Sequence, residues 1–285
     1  MKIIANPTAG FGKGKNAIQE LCKHKNGNIE ILETEGPLDA NRIASQNVSA
    51  GVSRLGVLGG DGTIRQVADV IAGSQIELAI LSVGTGNDIA RSLGLPYNNL
   101  EASLKIAQNG RSVPIDVGVV GGHHFLSVLG VGFPVQVANE SNKLKWLGGR
   151  LAFVAAIYKA VWKMETVTMD IELDDQSLSI DCTSLLILNT PFTGGGLKFA
   201  PNAKTNDGLF DIVIVGQIGR LDLMASFPRV YKGSHLNHPS FSLFQSSSVK
   251  VSPSLPMEIM LDGDIYGEIP VEAEILSRNL NVVVG

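Results

Sequence analysis

Polar, glycine-rich segments follow three strand-like runs in the first 118 residues, and this pattern constrains the fold more than any other feature. The segments are Asn6–Lys15, Gly59–Thr63 and Gly84–Asp88. Helical patterns separate the runs, which predicts βαβ units and a parallel sheet with helices on both faces. Because the carboxyl ends of parallel strands share one edge, we expect the three segments to meet at one crevice. The strand-like runs are Lys2–Ala5, Ile29–Leu32, Leu55–Leu58 and Leu78–Val83.

After residue 118 the sequence no longer alternates between strand-like and helical patterns. Strand-like runs follow closely, and Val167–Leu173 alternates apolar and polar residues as a half-buried antiparallel strand does. One helical pattern, Gly149–Met164, interrupts these runs. The sequence therefore predicts two domains: an α/β domain at 1–118 with a parallel sheet, and a mostly antiparallel β-sandwich domain at 119–285.

Composition excludes several classes of protein. The formal net charge of −4 argues against a nucleic-acid partner, which requires a surplus of Lys and Arg. Cys22 and Cys182 share no disulfide or metal spacing and are expected to be free thiols. No apolar stretch has the length that a signal peptide or a membrane-spanning helix requires. These features predict a soluble cytoplasmic protein without a transmembrane segment.

The three glycine-rich segments favour phosphate chemistry. Each leads into a predicted helix, where free backbone N–H groups and the positive end of the helix attract anions. Lys13, Lys15, Asp61 and Asp88 lie among the glycines, and this mixture of cations and acids suits a metal-bound polyphosphate. One such turn alone is more often an ordinary turn, but three on one sheet edge favour a site. Neither the G-x-G-x-x-G dinucleotide motif nor the Walker P-loop is present.

Motifs along nearly the whole chain resemble the diacylglycerol kinase catalytic-domain family, most closely its bacterial lipid kinases, which are related to sphingosine kinases. The motifs are Asn6-Pro7 with Gly10, Gly59-Gly60-Asp61-Gly62-Thr63, Gly84-Thr85-Gly86-Asn87-Asp88, Phe199–Lys204, Asp207–Asp211 and Asp262-Gly263-Asp264. The resemblance implies an NAD kinase/diacylglycerol kinase-like fold with the active site between the domains. It also implies transfer of the γ-phosphoryl group of ATP to a lipid hydroxyl, of diacylglycerol or a related alcohol. The lipid substrate would be met at the membrane surface, with the protein peripheral to the membrane during turnover.

The resemblance also implies roles for individual residues. Asp264 would be the general base, Asp61 would lie near the metal-bound γ-phosphate, and Asp88 would lie near the acceptor hydroxyl. Asp207 would bind Mg²⁺ together with the backbone carbonyls of Lys204 and Leu209. The nucleotide contacts would come from Asn6, Pro7, Gly10, Thr34, Gly59, Gly60, Asp61, Gly62, Thr63, Gly84, Thr85 and Asn87.

Two departures from the family pattern keep other functions open. Ile64-Arg65-Gln66 stands where the family has x-Asn-Glu, and Asp264 stands where it usually has the longer Glu. The alternatives are a soluble-metabolite kinase of the NAD kinase type and a nucleotide-binding sensor with little catalysis. The acceptor and the oligomeric state, a dimer being one option, are open at this stage.

The predicted helix at 149–164 has two interpretations. Its apolar residues either pack in the core or line a groove for the lipid acceptor. The residues concerned are Leu151, Val154, Ala155, Tyr158, Val161 and Trp162.

Overall fold

A computed structural model describes residues 1–23, 29–144, 147–268 and 271–285 of the chain. These residues form two compact units, each with its own core. The first unit contains Met1–Val117 and Ser277–Gly285, and the second contains Gly118–Leu276.

The first unit is a parallel sheet covered by helices. Its strands lie in the order β4-β3-β1-β2, and all of these pairs are parallel. Both faces of the central strands are buried because helices pack on each side, which explains their continuous apolar sequences. The elements are β1 (Lys2–Ala5), α1 (Ala9–Lys23), β2 (Glu30–Glu33), α2 (Asp39–Ser49), β3 (Arg54–Gly59), α3 (Asp61–Ile71), β4 (Glu77–Ser82), α4 (Asp88–Ser92) and α5 (Leu100–Asn109).

The predicted strands of this unit agree with the structure to within one residue at each end. The pattern of residues 16–25 predicts a helix. Helix α1 starts at Ala9, but Gly10, Phe11 and Gly12 have left-handed φ values of 59°, 58° and 90°, so its regular right-handed part begins after Gly12. The end of that prediction, at residues 24 and 25, lies outside the described residues.

The second unit is built from antiparallel strands. Their order is β14-β13-β7-β9-β8-β12-β15, and β10 lies between β9 and β11. A core of apolar side chains, including the stacked rings of Phe125 and Phe210, fills this unit. The elements that follow α5 are β5 (Arg111–Val120), β6 (His123–Phe125), β7 (Val128–Gly132), α6 (Phe133–Lys143), α7 (Gly149–Trp162), β8 (Val167–Leu173), β9 (Ser177–Leu188), β10 (Phe210–Gly216), α8 (Arg220–Lys232), a short 3-10 helix (His235–Asn237), β11 (Phe241–Ser246), β12 (Ser248–Pro253), β13 (Glu258–Leu261), β14 (Asp264–Glu268) and β15 (Val271–Val284).

The last strand differs from the expected division of the chain. The prediction assigned all of 119–285 to the second domain, whereas Ser277–Gly285 packs with the first unit. There Asn281 and Val282 pair in parallel with Glu77 and Leu78 of β4. Strand β15 therefore leaves the second unit and completes the sheet of the first.

Several local predictions for the second unit were incomplete. The sequence also predicts one strand at Phe125–Leu129, but this run is divided between β6 and β7, because the N–H groups of Leu126 and Ser127 donate to the carboxylate of Asp262 and not to a neighbouring strand. Helix α6 was missed, although Gly132 (φ 81°) and Pro134 at its start are typical helix-start signals. Helix α8 and strands β5, β11 and β14 were also not predicted.

None of the described helices is long and apolar enough to cross a membrane.

Candidate active site

Three loops of the first unit lie together at the carboxyl ends of β1, β3 and β4. We call them the three-loop cluster, which comprises residues 6–12, 59–63 and 84–88. They are joined by hydrogen bonds between side chains and by close approaches of backbone. The glycine-rich segments that the sequence singled out therefore come to one place.

Asn6 connects the first loop to the second. Its amide Nδ2 donates to Thr63 Oγ1 over 3.0 Å. Its Oδ1 accepts from both the backbone N–H and the hydroxyl of Thr8, at 3.0 and 2.8 Å. Asn6 thus fixes both the turn after β1 and the first turn of α3.

Two glycines bring backbone into contact where a side chain would not fit. A Cβ on Gly84 would lie 2.6 Å from the Cα of Gly60 and 2.9 Å from Asn87 Oδ1. A Cβ on Gly10, which has a positive φ of 59°, would collide with the carbonyl oxygen of Val83. The three loops therefore approach each other as bare backbone at these glycines.

Asn87 holds the third loop in shape. It is 1% exposed and has a left-handed φ of 54°. Its Oδ1 accepts from Ser82 Oγ at 2.7 Å, and its Nδ2 donates to the carbonyl of Gly84 at 3.0 Å. The loop is thereby tied at its start and at its end.

Two acidic residues of the cluster, Asp61 and Asp88, interact electrostatically. Asp61 begins α3, and its Oδ1 accepts from the N–H of Ile89 at 3.2 Å, next to the buried Asp88. Burial, and to a smaller extent the charge of Asp88, raises the pKa of Asp61 to about 6, although backbone N–H groups oppose this shift. Arg91 Nε lies 3.8 Å from Asp88 Oδ1. A pair of acids held this way is suited to a divalent cation.

Of the remaining predicted residues of the first unit, Pro7, Gly59 and Thr85 belong to the cluster, and Thr34 borders it. Thr34 is buried, and its N–H donates to the carbonyl of Ala5 at 2.9 Å, which places it beside the end of β1. Pro7 is half-buried, Thr85 is exposed, and Gly59 lies against Thr63. Lys13 Nζ lies 3.4 Å from Asn98 Oδ1. Arg65, one of the departures from the family pattern, is 4% exposed on α3.

The second unit contains the hairpin β13–β14, with Asp262 and Gly263 at its turn. Asp264 is the first residue of β14, pairs with Leu261 and is exposed. The carboxylate of Asp262 accepts from the N–H groups of Leu126, Ser127 and Val128 at 2.7, 2.8 and 2.9 Å. The turn is therefore fixed to the backbone between β6 and β7, and the position of Asp264 is fixed with it.

Asp207 lies in a turn before β10. It is exposed, and its Oδ1 accepts from the N–H of Leu209 at 3.3 Å. Asp211 is buried four residues later; burial, and to a smaller extent the charge of Asp207, raises the pKa of Asp211 to about 6. Lys204, the third member of the predicted magnesium site, is exposed.

Sequence reasoning missed the residues that support this geometry. Ser82 and Asn98 lie outside the glycine-rich segments, and Thr8 lies inside one without a predicted role; only their hydrogen bonds show what they support. Asp262 was predicted only as a member of the Asp262-Gly263-Asp264 motif and without a role of its own, because its three partners lie 134 to 136 positions away in the sequence.

Comparison with known proteins identifies two family models. Residues 1–120 match the diacylglycerol kinase catalytic domain. Residues 127–284 match the YegS C-terminal NAD kinase beta sandwich-like domain.

Named relatives match over nearly their whole length. A diacylglycerol kinase of Mycobacterium tuberculosis is 30% identical, with 98% of this chain and 93% of the relative covered. One of Bacillus subtilis is 29% identical, with 99% and 95% covered. A crystal structure of a diacylglycerol kinase from Bacillus anthracis superposes with a TM-score of 0.81 at 26% identity, and covers 100% of this chain and 96% of that chain.

Proposed function

Because the chain belongs to the diacylglycerol kinase family, we propose that it transfers the γ-phosphoryl group of ATP to the hydroxyl of a lipid alcohol, diacylglycerol or a close relative. The observation that carries this proposal is the close approach of Gly60 and Gly84, with Asp61 and Asp88 beside them. Phosphoryl transfer requires mainly positioning and charge stabilisation, and a backbone-lined site next to acids supplies both.

The three-loop cluster would hold the nucleotide phosphates. The N–H groups of Gly10, Gly60 and Gly84 would donate to phosphate oxygens, because no side chain intervenes at these three positions. Asn6 and Asn87 keep the loops in place through the hydrogen bonds described above. We assign the other predicted nucleotide contacts, including Thr34 and Thr85, to the rim of this site.

Asp61 fits a magnesium ion bound together with phosphate, and Asp88, whose predicted position is near the acceptor hydroxyl, is close enough to Asp61 to contribute to the same ion. Within the described residues, no group of three or more His, Cys, Asp or Glu side chains could hold a metal ion. Mg²⁺ commonly takes one or two carboxylates and fills its other positions with water and substrate phosphates, which matches a pair of acids. When bound, Mg²⁺ would neutralise charge on the transferring group. We also propose Asp207, with the carbonyls of Lys204 and Leu209, as a second cation site with a structural role.

Asp264 is proposed as the general base. Its carboxylate is exposed on a hairpin whose turn is anchored by three hydrogen bonds to Asp262, so its position is defined although it is accessible. A carboxylate in hydrogen-bond reach of the lipid hydroxyl would accept its proton and contribute about 10²–10⁴-fold to the rate. The protein would act on lipid at a membrane surface while remaining peripheral to it.

The test is transfer of radiolabel from [γ-³²P]ATP. With Mg²⁺ and vesicles that contain diacylglycerol, we expect label to enter the organic phase as a phosphorylated lipid, and the Asp264→Asn variant to lose at least about 100-fold of this rate while it still binds ATP. Addition of a chelator should stop the transfer. Label that appears on NAD, or ATP binding without any transfer, would overturn the proposal in favour of one of the two alternatives. Unchanged turnover of Asp264→Asn would refute the assignment of the base.

A further inference from the structure

We propose that the outer face of α7, together with the start of α8, is the surface by which this protein docks on anionic membranes. The inference deepens the proposed lipid-kinase function and rests on it for its biological purpose. Its physical basis is the juxtaposition of exposed aromatic and aliphatic side chains with a cluster of lysines on the second unit.

Helix α7 has two apolar faces. Its inner face packs into the core through mainly small residues, Ala152, Ala156, Ala160 and Val161. Its outer face presents Leu151, Tyr158 and Trp162, whose spacing of seven and four residues places them on one side of the helix. The sequence left open whether these three belong to the core; the structure places them outside it.

The exposure of these three side chains is high for their type. Leu151 is 72% exposed, Tyr158 is 51% and Trp162 is 65%. Tyr and Trp favour the interface between water and lipid, because an apolar ring and a polar group are accommodated there together. Leu151 adds an aliphatic side chain that can enter the acyl region.

A cluster of lysines lies next to this apolar face. Lys143, Lys159 and Lys163 converge on Glu140 with ammonium-to-carboxylate distances of 3.1, 3.8 and 2.8 Å. Glu140 is buried, and hydrogen bonds from Lys163 and Lys143 lower its pKa to about 2. Three lysines face a single carboxylate, so the cluster keeps a positive charge, and each of the three lysines is at least 60% exposed.

The start of α8 extends the surface. Arg220 Nε donates to the carbonyl of Val161 at 3.3 Å, which places this cation at the end of α7. Leu221, the next residue, is 74% exposed. Asp222 turns back toward Gly219 and the positive end of its own helix. Helix α7 itself contains no acidic residue.

The charge of this surface indicates that it binds a membrane and not a second copy of the chain. In a two-fold dimer the same patch would meet itself, and the lysines would then be covered by a copy of α7 that has no acidic side chain to pair with them. An anionic lipid surface attracts the same lysines and accepts the apolar side chains between them. The combination therefore fits a bilayer that contains acidic phospholipids.

The first test is co-sedimentation with vesicles of phosphatidylcholine alone or with phosphatidylglycerol, without ATP or diacylglycerol. We expect the protein to bind to the phosphatidylglycerol vesicles. The partition coefficient should be about tenfold lower for Trp162→Ser and about fivefold lower for each of Lys159→Gln and Lys163→Gln.

Leu255→Ser and Lys250→Gln are matched controls, since these side chains are 59% and 51% exposed elsewhere on the unit. The controls should bind as the unaltered protein does. Equal losses in controls and test variants, or no preference for phosphatidylglycerol, would overturn the proposal.

A second test follows Trp162 directly. In a Trp146→Phe background, Trp162 is the only tryptophan of the chain. Its fluorescence should shift to the blue, and brominated lipids should quench it, only with phosphatidylglycerol vesicles. An unshifted spectrum would contradict docking by this face. So would a Trp162→Ser variant that changes a dimer to a monomer and keeps full vesicle binding.

Vesicle binding needs no turnover, so Asp264→Asn should bind vesicles normally. A failure of the kinase assay can therefore be distinguished from a failure of docking.

Discussion

Two of the three Asp-Gly segments of the chain, at Asp61 and at Asp262, use the same residue pair in different ways. Asp61 lies next to a second carboxylate, and burial and this neighbour raise its pKa to about 6. Asp262 accepts three backbone N–H groups within 2.9 Å. The charged form of Asp61 is therefore disfavoured in the folded protein, whereas the charge of Asp262 is stabilised by three hydrogen bonds.

This difference separates a reactive position from a supporting one. A carboxylate whose charge is disfavoured gains most when a cation arrives, whereas one that is fully hydrogen-bonded has little to gain. We therefore assign ligand binding to Asp61 and positioning to Asp262, which shares its turn with the proposed base Asp264.

The largest expected effect is the loss of the Asp262 carboxylate. Asp262→Ala would leave three N–H groups without their acceptor, and we expect the free energy of unfolding to fall by about 3–5 kcal/mol. Urea denaturation measures this change. Asp264→Ala, two residues along the same hairpin, is the control and should cost less than about 1 kcal/mol. Equal stability of Asp262→Ala and the unaltered protein would show that the three hydrogen bonds do not anchor the hairpin.

Asp61→Asn should raise the free energy of unfolding, whereas Asp262→Ala lowers it. Removing a disfavoured charge should stabilise the protein without nucleotide by about 1–3 kcal/mol at pH 7.5, while phosphoryl transfer is lost. The folded protein binds more protons at Asp61 than the unfolded chain does between pH 3.8 and about 6, so this residue lowers stability as the pH rises through that window. The advantage of Asp61→Asn should therefore be complete above pH 6 and absent below pH 3.8. Thermal unfolding across this range checks the sign, and a variant less stable at pH 7.5 would reverse our assignment.

The smallest expected effect concerns the hydrogen bond from Ser82 to Asn87. Ser82→Ala removes a buried bond of 2.7 Å, and we expect a loss of about 1 kcal/mol together with weaker nucleotide binding. Ser45→Ala on α2, where an exposed hydroxyl donates to a backbone carbonyl, provides a control outside the cluster. If both variants bind nucleotide equally well, the third loop does not depend on this bond.

The local sequence pattern predicted much of the structure of the first unit. Strand β1 has the predicted bounds, Lys2–Ala5, and the glycine motifs after β1, β3 and β4 lie together as expected. Such features depend on neighbouring residues and on the general rule for parallel sheets. The proposed roles of Asp88, Asp207 and Asp264 stay predictions.

Other features depend on contacts that sequence periodicity does not encode. The partners of Asp262 are more than 130 positions away, and the end of β15 joins a different unit from its beginning. In α7, inner Ala156 and outer Trp162 are both apolar, so hydropathy could not separate the buried face from the exposed one. Only the packed structure distinguishes them.

The most direct test of the account is nucleotide binding by the three-loop cluster. Calorimetry with a non-hydrolysable ATP analogue and Mg²⁺ should show a loss of at least about tenfold in affinity for Gly84→Ala, because the added Cβ would lie 2.6 Å from Gly60 Cα. Gly36→Ala, where a Cβ would meet nothing within 4 Å, should bind as the unaltered protein does. A folded Gly84→Ala protein that binds the analogue with unchanged affinity would contradict the assignment of this cluster to the phosphates.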